Sequence, residues 1–230
     1  MLARLLTSGV IAGFAAGLAA AILQIVLVQP VLLTAELYES GQAVFEGGRA
    51  PAELVGGIEP LRDGLSIVFS GLIYAGYALV LTAAMAFAAD RGAARIDGRT
   101  GLVWGLAGFV TVQLAPALGL PPELPGMGAA DLGARQAWWA ATIVATGAGC
   151  ALLGFGRSWL AWGAAVILFA APHVVGAPQP EAFVGPAPPE LASLFAARAL
   201  GVGLVAWAIL GALAGSLWAR DRVALGHASA

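Results

Sequence analysis

Between Arg198 and Arg220 the chain reads ALGVGLVAWAILGALAGSLWA and carries no charged side chain. An uninterrupted apolar helix of about 20 residues matches the ~30 Å hydrocarbon core of a bilayer. Runs of this kind recur. The spans are expected at residues 5–33, 65–89, 101–118, 137–155, 159–171 and beyond, and 199–219. The fifth reaches spanning length only if His173 to Gly176 belong to it. Charged residues make up 10% of the chain, whereas a soluble domain carries about 25%. The chain cannot coat a globule with polar surface. The expected fold is all-α: one polytopic integral membrane domain, residues 1–230, built as a bundle of about six transmembrane helices. The opening MLARLLTSGVIAGFAAGLAA imitates a signal peptide, but its apolar run continues to Leu33 without a polar cleavage region, so it is expected to stay as the first helix.

Composition excludes several functions. All eleven basic residues are arginine, and a GxxxxGK[ST] phosphate loop needs its lysine. The net charge of -2 and the lack of a basic face argue against nucleic-acid partners. Cys150 is the only cysteine, so no disulfide framework exists, and its apolar setting marks it as a packing residue. Ser66, Ser70 and the histidines stand at no spacing that pairs a base with a nucleophile, and no enzyme is expected.

Charge and aromatic patterning orient the spans. With both termini cytoplasmic, Arg4, Arg91, Arg95, Arg99, Arg157, Arg220 and Arg222 fall inside, against Arg49, Arg62, Arg135 and Arg198 outside, a ratio that satisfies the positive-inside rule. Trp104, Trp159, Trp162 and Trp218 then mark the inner interface, and Trp138 and Trp139 the outer one. Gly9, Gly13 and Gly17 share one helix face, as do Gly101 with Gly105 and Gly211 with Gly215. Such small-residue faces let backbones approach closely in lipid.

Polar side chains gather toward the outer half. Gln24 and Gln29 precede Pro30, Gln113 precedes Pro116, Gln136 opens the fourth span, and His173 follows Pro172 near the outer edge of the fifth. Proline removes a helical hydrogen bond, and irregular backbone at membrane depth is tolerated only in protein or beside water. This layer is expected to line a cavity open to the outside, with Glu36, Glu39, Glu123 and Asp131 at its rim and Met127 as a soft, weak ligand. Imidazole nitrogen and carboxylate oxygen suit a divalent first-row metal such as cobalt or nickel. His173, Glu36, Glu123 and Asp131 are the candidate ligands, and Gln24, Gln29, Gln113, Gln136 and Met127 the candidate lining. No HxxxH or CxxC spacing exists, which suits passage rather than tight retention. Arg135 is expected to form an ion pair or headgroup contact that positions loop 121–136. The acids from Glu46 to Glu59 are expected to lie in a solvated loop, and His227 in a polar tail.

The segments LAPALGLPPELPGMGAADLGARQAWW (114–139), PHVVGAPQP (172–180) and PPELASLFAARAL (188–200), with the opening LLTSGVIAGFAAGLAAAILQ, resemble the predicted cobalt transporter subunit family CbtA. The resemblance covers nearly the whole chain. It implies a bundle of five to six transmembrane helices, cobalt uptake at the bacterial inner (cytoplasmic) membrane, linkage to cobalamin metabolism, and a small one-span CbtB-like partner carrying a histidine motif. It implies no ligand list. The expected function is a membrane permease subunit for divalent cobalt, carried as substrate with no permanently bound cofactor, and with membrane lipids as surroundings. The alternative is a non-conducting scaffold that binds the one-span partner.

Overall fold

In the computed structural model, residues 2–45 and 53–228 are described, with side chains for 6–45 and 53–221. Glu46 and Arg49, and the side chains of Arg4, Arg222 and His227, lie outside the described residues. The order is α1 (Leu2–Leu23), a π-helical turn π1 (Gln24–Val28), α2 (Gln29–Glu39), α3 (Pro60–Asp90), α4 (Gly98–Phe109), a second π-turn π2 (Val110–Leu114), α5 (Ala115–Ala117), α6 (Leu132–Phe155), α7 (Trp159–Val175) and α8 (Pro189–Ala228). The described residues contain no strand. Five helices are long and apolar enough to cross a membrane: Leu6–Glu39, Pro60–Asp90, Gly98–Ala117, Leu132–Phe155 and Pro189–Asp221. The 17 residues of α7 form a shorter apolar helix. The six expected runs are therefore all helical. The helices holding the runs that start at residues 5, 65, 137 and 199 are longer than those runs, because polar positions extend them beyond the apolar stretch.

Local signals set the ends. Glu59 caps α3 by accepting from the N–H groups of Leu61 and Arg62, while Asp63 accepts from the Glu59 N–H. Asp131 and Ser158 cap α6 and α7 through the N–H groups of Ala134 and Ala161. Each thereby satisfies one of the donors a helix start leaves open. Helix α7 runs through Pro172 and stops at Gly176, whose φ of 87° a residue with a Cβ rarely adopts.

Two compact units divide the chain. The first comprises residues 1–23, 59–109 and 202–230. Its close crossings need glycine. A Cβ on Gly13 or Gly17 would lie 2.5 Å from backbone atoms of α3, at Ala75 and Tyr74 or at Ser70. A Cβ on Gly105 would strike the Trp207 carbonyl of α8, and Gly101 meets Gly211 and Gly215 in the same way. Both crossings match the small-residue faces expected from sequence. Ser8 Oγ donates to Asp221 Oδ2 at 2.6 Å, joining α1 to α8 in this unit.

The second unit comprises residues 24–58 and 110–201. Helices α6 and α7 form a hairpin through the link at residues 156–158, with Gly149 leaving room for the Phe169 ring. Val31, Ala35 and Tyr38 of α2 are buried with Leu124, Ala187 and Leu191. This small apolar core ties α2 and the start of α8 to the loops before α6 and α8.

Candidate functional site

The polar layer is built on the irregular turns. A proline ring clashes with the carbonyl four residues earlier. For Pro30 that residue is Val26, inside π1, and for Pro116 it is Val112, inside π2. The wider turn lies where each clash would fall. Gln24 opens π1, Gln29 is the first residue of α2, and Gln113 lies within π2. Gln24 and Gln29 are both engaged by partners. Gln113 Oε1 is buried and accepts no hydrogen bond, a state that is costly for an amide oxygen unless water or another ligand supplies the contact.

His173 is half-buried on the last turn of α7, edge-on to the Trp138 ring with centroids 5.9 Å apart. Trp138 Nε1 donates to the Pro172 carbonyl at 3.0 Å, which the Gly176 N–H also reaches. The same indole lies against Gly119. One tryptophan of α6 thus fixes the end of α7 and the position of His173.

The loop before α6 is packed in place. Gly126, at φ 74°, turns the chain beside Glu39 and Pro186. The Gly128 N–H donates to the Val184 carbonyl at 2.7 Å, and Met127 Sδ lies against Gly185. Arg135 Nη2 pairs with Glu123 Oε2 at 2.7 Å, so the expected ion pair forms within loop 121–136. Asp131 is exposed, and its Oδ1 accepts from the Ala134 N–H. Glu36, Glu39 and Gln136 are exposed. Glu39 is brought beside the Gly126 turn. Among the described residues, no three His, Cys, Asp or Glu side chains are placed together to hold a metal ion.

Two features escaped the sequence reading. Arg198 Nη1 donates to the Leu27 carbonyl of π1 at 2.8 Å. A π-turn loosens the helical hydrogen-bond ladder, and at membrane depth such carbonyls need another partner. The signal was present: an arginine opens the apolar part of α8 while a proline interrupts the first span at a similar height. The other feature is Asp63, 5% exposed and paired with Arg62 Nε at 2.9 Å. Glu59, the last residue of the loop expected to be solvated, is exposed and also caps α3.

Long apolar helices, several of them long enough to cross a membrane, define a polytopic α-helical membrane protein. The chain matches the family described as "Probable cobalt transporter subunit (CbtA)" over residues 2–219. It belongs to the CbtA family. Neither curated proteins nor solved structures yield a match.

Proposed function

We propose that this chain is the permease subunit of a divalent-metal uptake system, with cobalt as substrate and cobalamin synthesis as its consumer. The observation that carries this reading is the pair of π-turns, each bearing a glutamine, set in helices otherwise apolar enough to span a membrane. Polar groups at such breaks mark substrate pathways in membrane proteins. Family membership supports the metal and the role of subunit. In this proposal His173, Glu36, Glu123 and Asp131 attract and hand on the ion, and Gln24, Gln29, Gln113, Gln136 and Met127 line its path. No covalent chemistry is performed. The chain resides in the bacterial inner membrane with both termini cytoplasmic, beside a small one-span CbtB-like subunit that captures the metal.

A non-conducting scaffold is the second reading, favoured by the dispersal of the acidic and histidine side chains among the described residues. Radioactive cobalt uptake into proteoliposomes, with this chain alone, the small subunit alone, and both, separates the two. Uptake that requires this chain, and that falls in His173→Ala at matched protein content, supports the permease. Full uptake by the small subunit alone would leave only the scaffold.

A further inference from the structure

The rim acids are hard oxygen donors, and such donors serve magnesium and calcium as readily as cobalt. His173 is the one softer donor among the candidate ligands at the rim, and a softer group further in would add to its discrimination. Cys150 is the one thiol in the chain, and it lies about 8 Å from the Phe155 end of α6, within the apolar span. Its Sγ is 3.8 Å from the Thr111 hydroxyl of π2. A Cβ on Gly147 would touch the Thr111 methyl at 3.5 Å, so this side of α6 faces π2.

Thr146 supplies an independent observation. It stands one turn before Cys150 on the same face of α6, is 1% exposed, and its Oγ1 has no hydrogen-bond partner. Helical side chains lean toward the N-terminus of their helix, which brings Cys150 back over Thr146. A buried hydroxyl without a partner carries a desolvation cost that a ligand would relieve. All these groups belong to one compact unit.

We infer that Cys150 Sγ, Thr146 Oγ1 and Thr111 Oγ1 form an intramembrane transit site for a borderline-soft divalent cation, with Cys150 as its selectivity residue. The inference rests on the permease reading and deepens it. Thiolate favours later first-row metals over magnesium and calcium. On coordination the S–H bond is replaced by a sulfur–metal bond, and the proton is released to water. With one sulfur and two neutral oxygens the site binds weakly, and an ion that must move on needs weak binding.

The single thiol makes the test direct. Purified full-length protein in nanodiscs is treated with N-ethylmaleimide in the presence of cobalt(II) or magnesium chloride. Cobalt is expected to slow Cys150 alkylation several-fold, and magnesium to leave it unchanged. Cobalt should also raise a thiolate-to-metal charge-transfer band in the near ultraviolet that is absent in Cys150→Ser. Thr146→Val, which keeps the shape, should weaken the protection. In proteoliposomes Cys150→Ser should lose preference for cobalt over magnesium. Absence of the band in wild-type protein overturns the site, whatever the alkylation rates. Cobalt uptake without the band sinks this inference and leaves the permease standing, whereas a band without uptake under any condition does the reverse.

Discussion

Glu123, a candidate ligand at the rim, is also the partner of the ion pair expected of Arg135. Its charge is shared with Arg135 in a partly exposed pair, worth about 0–1 kcal/mol to stability. Two roles remain for it, ligand and loop anchor, and they predict different patterns. As a ligand, Glu123→Gln lowers cobalt uptake several-fold, while Arg135→Gln, which frees the carboxylate, preserves or raises it. Equal losses in the two variants would reduce Glu123 to an anchor. Glu53→Gln serves as the reference for surface charge. Asp97 carries a separate pH dependence. The Thr100 N–H, the nearby Thr100 hydroxyl and Arg99 hold its carboxyl below the usual carboxylate range. Asp97 and Thr100 cap each other reciprocally at the start of α4, at 2.8 Å in both directions. A lowered value means that the stabilisation is fully present above the ordinary carboxylate range and is lost as pH falls through the lowered value. Thermal melts of Asp97→Asn and wild type should therefore differ at neutral pH and converge in strong acid. A difference that stays constant with pH would show that the charge of the cap contributes nothing.

Among the elements, the helices and their glycine crossings were legible because apolar length and i, i+4 spacing are properties of sequence alone. The crossings are testable position by position. A Cβ at Gly105 meets the Trp207 carbonyl backbone, whereas one at Gly76 meets nothing within 4 Å. Gly105→Ala is thus expected to lower the melting temperature in detergent, and Gly76→Ala to leave it unchanged or raise it slightly, since alanine is the better helix former by about 1 kcal/mol. Equal behaviour would mean that the close approach of α4 and α8 is absent. The π-turns were only half legible. Proline marked the place, but whether a helix bends, ends or widens there depends on groups far along the chain. Arg198, 171 positions from Leu27, is one of them. The small core around Val31, Ala35 and Tyr38 was not legible because Val31 lies inside the expected membrane run and the other two follow close behind it. Their i, i+4, i+7 spacing and the intervening Glu36 and Glu39 signal an amphipathic helix, yet the apolar run hides where lipid stops and protein begins. Trp138 shows the same limit for the site: its anchoring of Pro172 reaches across 34 positions.

At the scale of the whole molecule, the arginines of the two expected sides differ in their surroundings as well as in number. Of the four arginines on the expected outer side, the three that are described are each engaged. Arg62 and Arg135 are in ion pairs, and Arg198 lies on a backbone carbonyl. On the opposite side Arg91 stacks over the Phe87 ring at 3.4 Å. Arg91, Arg95, Arg157 and Arg220 have no ion-pair partner among the described residues, while Arg99 interacts with the Asp97 carboxylate. Arginine in short loops is what resists transfer across the membrane during insertion, and acidic partners weigh little in that bias, so the expectation of cytoplasmic termini rests on the seven-to-four count of arginines. The prediction follows for two connecting segments. In a Cys150→Ala background, a cysteine placed at Ala182, before α8, should react with an impermeant maleimide added to intact cells. One placed at Ala94, between α3 and α4, should react only after the membrane is opened. The Arg91–Arg95 turn supplies the internal control. If the charge is what orients the chain, Arg91→Gln with Arg95→Gln should produce a mixed population in which some Ala94→Cys labels from outside. Full external labelling at Ala94 in the otherwise wild-type background would invert the topology, and with it the assignment of His173 and Glu123 to the side from which metal enters.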